Sequence, residues 1–337
     1  AGGAPAALGA AALDEPTLAA LDAFSAQVAA TSAWVPQGGG VGSNAWAVSG
    51  ALSASGMPLL ANDPHLPQRQ PATWYGVQLN APGWRVQGAS LPGIPGVVLG
   101  HNGRIAWGIT NGGLAVQELF LEKPNPDNPL GFGFQGAWEA ARVVEEVLPV
   151  KGAEPVTHRV VLTRHGPLIT GLVGSAQPVA LGWTFAEPRG GELGGLFEIN
   201  RAGDWEAFRR GVGQVAFDLN FVYADVDGNI GFQMSGRVPR RPAGYRGLPV
   251  PGWTGEHEWD GWLTPDELPH AFNPDIGFVA TGNHRPFGPD VLPQVAGEWS
   301  APFRAQRITE LLQASNAFTL EDMRAIQADA HSAAYLQ

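Results

Sequence analysis

From residue 43 onward the chain is written almost entirely in short apolar runs of strand character, each cut off by Gly, Pro, Asn or Asp. NAWAVSG, PLLAND, TWYGVQLN, WRVQGASL, PGVVLG and RIAWGIT are too short for core helices, and their spacing predicts strands with tight connections. VVEEVLPV, THRVVLTRHG and PVALGWTF extend the pattern. The clearest local signal is NFVYADVDGNIGFQMSG, two runs meeting at Asp227-Gly228, a pair suited to a type I′ hairpin turn. Helical patterning is confined to three places. Residues 14–30 carry a cap candidate at Asp14 and Leu18, Leu21, Phe24 and Val28 at helical spacing, GDWEAFRRGV covers 203–212, and TLEDMRAIQADAHSAA closes the chain. Between the first helix and the strands lies TSAWVPQGGGVG, whose Pro and Gly make rigidity too costly in entropy, so an exposed linker is expected there.

Whole classes of function drop out on composition. A hydrophobic content of 44% over 337 residues can fill a large core, so the chain is expected to be globular. A net charge of −11 offers no basic stripe to a phosphate backbone, and Lys occurs only at Lys123 and Lys151, so no nucleic-acid partner is expected. Zero cysteines exclude disulfides, thiolate metal sites and Cys nucleophiles. No run approaches the roughly 20 apolar residues of a membrane span, and the opening AGGAPAALGAAAL lacks the basic start of a signal peptide. The Gly-x-Ser-x-Gly, Gly-x-x-x-x-Gly-Lys-[Ser/Thr] and His-Glu-x-x-His motifs are all missing, and none of the eight histidines stands at ligand spacing on a helix.

That leaves GGGVGSNAWAV, where a glycine run meets Gly42-Ser43 and then a strand. A Ser hydroxyl is a weak nucleophile without a base in reach. If the chain is cut before Ser43, the freed α-amine, with an ordinary pKa of roughly 7.7–8, supplies that base on the same residue. Gly-Ser is also among the commonest loop dipeptides, and by itself, after a Gly-rich stretch and before a strand, it reads as a plain linker.

The longer motifs decide. GSNAWAVSGALSASGMPLLANDPHL (42–66) resembles the start of the catalytic chain in the penicillin acylase family of N-terminal nucleophile hydrolases. The resemblance continues in PGVVLGHNGRIAWGITN (95–111), TRHGPLI (163–169) and NFVYADVDGNIGFQMSGRVPRR (220–241), in the family's order. It implies an α+β fold, the four-layer αββα sandwich, incomplete at both ends. Residues 1–33 would be the end of a first chain or spacer helix, 34–42 the spacer end with the cleavage site, and 43–337 the N-terminal part of the catalytic chain.

By this resemblance Ser43 is the nucleophile, and His65 stands where members acting on cephalosporins or acyl-homoserine lactones carry a histidine that can accept a hydrogen bond from the Ser43 hydroxyl. The backbone N–H of Asn111 and the side-chain amide of Asn220 would receive the oxyanion of the tetrahedral intermediate. Arg241 matches an arginine that holds this Asn and the nucleophile's terminus, with Arg240 an alternative by residue type. Leu66 and Leu99 occupy acyl-pocket positions where benzylpenicillin-type members have aromatics, which tilts the expectation toward aliphatic acyl amides. Many members bind structural calcium, but Ala115 replaces one acidic ligand while Glu118 keeps the other, so calcium is expected to be weak or absent and no other cofactor is implied.

The implied activity is hydrolysis of a small-molecule amide through an acyl-enzyme, with a separate or missing first-chain segment as partner and a periplasmic or secreted location. Two alternatives stay open at this point: an uncut precursor or fragment, in which Ser43 N is an amide and no base exists, and a non-catalytic β-rich binding module.

Overall fold

A computed structural model of the chain describes residues 42–68, 70–173, 175, 177–186, 191–242, 249–288 and 295–331. The expected first helix and linker, and the segment boundaries near residues 33 and 34, lie outside them. The described residues fall into two compact units, one from residues up to 116, 187–245 and 260 onward, the other from 117–186 and 246–259.

The larger unit holds two sheets. Strands β1 (Gly42–Val48), β2 (Leu59–His65) and β10 (Phe278–Thr281) form an antiparallel sheet in the order β10-β1-β2. Between them in sequence run β3 (Tyr75–Ala81), β4 (Trp84–Ser90), β5 (Leu99–His101), β6 (Ile105–Asn111), β7 (Leu219–Asp225), β8 (Ile230–Met234) and β9 (His270–Phe272), which form a seven-stranded sheet ordered β9-β8-β7-β6-β5-β4-β3. Four helices cover them: α1 (Glu192–Arg201), α2 (Trp205–Val212), α3 (Phe303–Gln313) and α4 (Leu320–Gln327).

Strand alternation shows how these pieces stack. Ala45 and Ala47 of β1 pack in one cluster with Val222 and Ala224 of β7 and Val279 of β10, so these faces meet between the sheets. Trp46 and Val48 point the other way, onto Ile308 and Leu312 of α3 and Met323 of α4. On the far side, Ile105, Trp107 and Ile109 of β6 and Phe221 and Tyr223 of β7 pack on Ile199, Trp205, Phe208 and Val212 of α1 and α2. The order helices, sheet, sheet, helices is the four-layer αββα sandwich. Gly231 makes room in it: a Cβ there would collide with the Trp205 ring.

Local details depart from the sequence expectations in three places. The turn at Asp227-Gly228 is not type I′, which needs positive φ at both central residues. Only Gly228 is left-handed there (φ 99°), because the Asp225 carboxylate takes the backbone N–H groups of Asp227 and Asn229 and bends the loop its own way. The closing helix stops at Gln327, where Asp329 turns out to accept from Arg307 and from the His331 N–H. The PLLAND strand continues through Pro64 to His65, and Pro64 is tolerated because β2 is an edge strand.

In the smaller unit, strand Gln117–Leu121 pairs antiparallel with Val179–Trp183 and parallel with Val250–Pro251. His165 is buried there between Glu122 and Glu258, at 2.8 Å from each, with Phe120 stacked on its ring at 4.2 Å. Among the described residues no helix is long and apolar enough to cross a membrane.

Candidate active site

Ser43 sits at the start of β1, buried, opposite Pro64 of β2, so the side chains of Asp63 and His65 project from the other face of the sheet, where Asn44 Nδ2 lies 3.3 Å from Asp63 Oδ2 and 3.4 Å from His65 Nε2. Alternation puts Ser43 on the same side as Ala45 and Ala47, toward the space between the sheets. Its hydroxyl donates to the Gly42 carbonyl at 2.6 Å, the carbonyl of the bond expected to break. Its nitrogen donates to Asn283 Oδ1, also at 2.6 Å.

Asn283 then leads across to the second sheet. Its Nδ2 donates to the Asn111 carbonyl (3.1 Å), which also accepts from Asn220 Nδ2 (3.0 Å). Ser43, Asn111 and Asn220 are therefore joined by one chain of hydrogen bonds. Asn220 is fully buried, and its Nδ2 is also within reach of Thr110 Oγ1 (3.0 Å) and Thr281 Oγ1 (3.2 Å), while its Oδ1 has no partner. In the uncut chain the amide protons expected to meet an oxyanion are thus committed to this network.

The segment after Asn111 is clamped from both sides. Gly112 N donates to the Asp218 carbonyl at 2.9 Å, Leu114 N donates to Asp218 Oδ2 at 3.0 Å, and Trp299 Nε1 donates to the Gly112 carbonyl at 2.9 Å. Burial raises the Asp218 pKa, and the backbone donors of Leu114 and Gly113 only partly offset it. A backbone donor at Asn111 so has a fixed mount, which preorganised oxyanion stabilisation requires.

On β2, His65 Nε2 lies 2.7 Å from Asp63 Oδ2. In a neutral ring that pairing makes Nε2 the donor and leaves Nδ1 as the acceptor. The expected Ser43–His65 hydrogen bond is not made: the two side chains lie on opposite faces of the sheet, and the Ser43 hydroxyl donates to the Gly42 carbonyl instead. Burial raises the Asp63 pKa, while His65, Asn44 and Arg304 pull it back.

The guanidinium that reaches Ser43 comes from Arg304 of α3, which donates to the Ser43 carbonyl at 2.7 Å and to Asn283 Oδ1 at 2.9 Å. Arg241 is buried and donates to the Ala115 carbonyl at 2.9 Å, just beyond Asn111. Arg240 pairs with Glu267 at the surface. Leu66 is exposed beyond the end of β2. Leu99 packs on the helix-covered face and lines an open groove of about 530 Å³ with Leu59, Leu60 and Leu320, to which Leu66 does not contribute.

The calcium ligands fare poorly. Glu118 is buried with Oε2 accepting from the Trp259 indole N–H, and the Ala115 carbonyl, the one oxygen of that residue, accepts from the Arg241 guanidinium, whose charge would repel a cation there. A hard cation needs several free oxygen donors, and these residues do not fit one.

Sequence reasoning did not reach Asp63, Asn283, Arg304, Thr110, Thr281 or Asp218. Only Asp63 carried a usable signal, its place two residues before His65, which on a strand puts both side chains on one face.

A sandwich of this layering with a buried Ser at the head of an inner strand defines an N-terminal nucleophile hydrolase fold. A family profile described as penicillin amidase matches residues 4–336, and the chain belongs to that family. It is 36% identical over 327 residues to the acyl-homoserine lactone acylase QuiP of Pseudomonas aeruginosa, covering 93% of this chain and 38% of that protein. The penicillin G acylase of Escherichia coli is 31% identical over 250 residues, 72% of this chain and 29% of that protein. Among solved structures, the thermostable penicillin G acylase from Alcaligenes faecalis superposes with a TM-score of 0.76 at 26% identity, covering 85% of this chain and 52% of that one. The chain thus spans well under half the length of the curated relatives it matches.

Proposed function

We propose that the protein is an amidase that cuts itself between Gly42 and Ser43 and then hydrolyses the amide of a small N-acyl compound. The observation that carries this reading is the hydrogen-bonded chain from Ser43 N through Asn283 to the Asn111 carbonyl and Asn220, at the head of β1. In the uncut chain the Ser43 hydroxyl already addresses the Gly42 carbonyl. Attack by Oγ on that carbonyl carbon would move the acyl bond from nitrogen to oxygen, and water would cleave the ester, freeing the α-amine.

In turnover the amine takes the Oγ proton as Oγ bonds to the substrate's acyl carbon. The Asn111 N–H and the Asn220 amide receive the oxyanion, which requires Asn220 to release part of its buried network. The amine then passes the proton to the leaving nitrogen, the C–N bond breaks, and water resolves the acyl-enzyme by the same route. His65, with Nδ1 as acceptor, orients the hydroxyl once cutting frees residue 43 to turn from the inner face of the sheet toward it, and Arg241 braces the segment that carries Asn111.

Aliphatic acyl groups are favoured; Leu66 and Leu99 are candidate acyl-chain contacts by family resemblance alone, since Leu99 lines a groove at the far end of β2 from Ser43. The acyl-homoserine lactone acylase similarity supports an amine product such as a homoserine lactone. A first-chain segment, cut away at Gly42 or supplied apart, completes the site, and a periplasmic or secreted setting rests on family resemblance.

The test offers the full-length protein N-acyl-homoserine lactones of graded chain length beside benzylpenicillin and quantifies the free amine. The reading expects faster release from aliphatic amides and none from Ser43→Ala. Absence of amide hydrolysis by a chain that does begin at Ser43 would end it.

A further inference from the structure

A backbone oxyanion donor cannot be aimed by its own side chain, so whatever fixes the neighbouring peptide units sets its direction. Asn111 ends β6, and the last bonds of the ladder decide which way its N–H points. Gly112 N donates to the Asp218 carbonyl at 2.9 Å, and successive residues of an antiparallel strand face opposite neighbours, so the Asn111 N–H points away from β7. Ile109, two residues earlier and in the same phase, shows what lies on that side. Its N–H meets Asn62 Oδ1 at 3.0 Å, and Asn62 Nδ2 reaches the Asn44 carbonyl at 2.8 Å, next to Ser43. The Asn111 N–H therefore leaves the ladder on the side where β1 begins.

Past Asn111 the chain turns out of the sheet, and two residues keep it from swinging. Asp218 holds it from one side, with its carbonyl on Gly112 N, Oδ2 on Leu114 N at 3.0 Å, and the Gly113 N–H also facing the carboxylate. Trp299 holds it from the other, its Nε1 donating to the Gly112 carbonyl at 2.9 Å. The turn requires glycine: Gly113 has a φ of 78°, and a Cβ there would come within 2.9 Å of the Trp299 ring. Among the described residues no cation pairs with Asp218, whose carboxylate is spent on backbone N–H groups. Burial works against its charge, so its task is that of a hydrogen-bond acceptor. It also stands two residues before Asn220, the second expected donor, and so ties the two donors to one point on β7.

We propose that Asp218 and Trp299 are positioning residues for the oxyanion site: together they clamp the peptide units of Gly112 to Leu114 and so aim the Asn111 N–H before substrate arrives. The inference rests on the amidase reading above, because an aimed donor has a task only if amides are hydrolysed. Its physical basis is that a donor displaced by a fraction of the hydrogen-bond length stabilises the oxyanion far less, while the ground-state substrate loses little.

The experiment compares the full-length wild type with Asp218→Ala, Asp218→Asn and Trp299→Phe, and uses Gly231→Ala, on the helix-covered side of β8, as a destabilised control. The substrate is an aliphatic N-acyl-homoserine lactone and the transition-state mimic an alkylboronic acid. In the mimic the Ser43 oxygen shares an electron pair with boron, the hydroxyl proton passes to the α-amine, and a boron-bound oxygen takes the oxyanion position. Asp218→Ala should lose about 10- to 100-fold in kcat and a similar factor in boronic acid affinity, with KM within about 3-fold of wild type. Asp218→Asn, whose Oδ1 can still accept from Leu114 N, should recover most of that loss, and Trp299→Phe should lose about 3- to 10-fold in kcat. Gly231→Ala should melt lower with kcat unchanged.

A wild-type kcat in Asp218→Ala, a KM that rises as far as kcat falls, or an Asp218→Asn as slow as Asp218→Ala overturns the proposal. If Asp218→Ala does not fold, Trp299→Phe decides, and wild-type kcat and boronic acid affinity in that variant overturn it. A wild type cut at Ser43 that hydrolyses no amide ends the amidase reading and this inference together. A cut, active wild type with unmoved variants ends only the inference.

Discussion

Replacing Asn62 by Ala tests how the two sheets are held in register beside the site. β5 pairs with β6 only at Ala106 and Trp107, so Ile109 has no strand on that side. The Asn62 side chain takes the strand's place: Nδ2 donates to the Ile109 carbonyl (2.9 Å), Oδ1 accepts from Ile109 N (3.0 Å), and Nδ2 also donates to the Asn44 carbonyl (2.8 Å). One amide thus joins β2 to the other sheet two residues from Asn111. Each hydrogen bond contributes about 1 kcal/mol net, and the Ile109 groups left behind add a desolvation penalty, which solvent reaching this part-buried site reduces. The expected loss is about 2 to 3 kcal/mol, equivalent to roughly 5 to 10 °C in Tm for a unit of this size. Urea titration of wild type, Asn62→Ala and Asn62→Asp gives the number. Asn62→Asp keeps the acceptor for Ile109 N and should fall between the other two. A loss under about 0.5 kcal/mol for Asn62→Ala would refute the view that this side chain replaces a strand.

Other perturbations read other parts of the account. In the smaller unit, burial alone would lower the His165 pKa, but hydrogen bonds and charge from Glu122 and Glu258 outweigh it and raise the value. A raised folded pKa stabilises fully below the ordinary histidine value of about 6.5, and that stability is lost as pH rises through the folded value. Melting curves from pH 5 to 9 should show this decline and His165→Gln should flatten it; equal slopes would argue against a charged His165. Gly231→Ala pushes a methyl into the Trp205 ring and should cost about 1 to 3 kcal/mol by urea titration, so an unchanged midpoint would contradict the packing of α2 on β8. Asn220→Ala should lower kcat about 10²- to 10³-fold while Asn111→Ala, which keeps its backbone donor, does far less. Equal losses in the two variants would remove Asn220 from the oxyanion role.

The layers were legible in the sequence because strand runs and the helix at 203–212 announce themselves by local period. α1 and α3 were not. ELGGLFEINR carries two glycines that argue against a helix, and packing of Ile199 against Trp107 and Phe208 overrides that local preference. The PGVVLG run forms a strand only from Leu99, because Asn200 binds both the N–H and the carbonyl of Val97 at 2.8 Å and does a neighbouring strand's work there.

The same physics limited the reading of the site. Ser43, Asn111 and Asn220 stand in recognisable motifs. Arg304 and Asn283 reach Ser43 from more than 200 residues away through side-chain hydrogen bonds that no local pattern encodes. Asp63 lay in view, but the expected strand run ended at it, so its sharing a face with His65 on β2 did not show.

The most direct measurement of the central claim is the intact mass, under denaturing conditions, of the freshly expressed full-length protein beside its Ser43→Ala variant. The account predicts a wild-type fragment whose mass begins at Ser43 and a variant that stays whole. A wild type that remains one uncut chain, or a Ser43→Ala variant cut at the same bond, would contradict it.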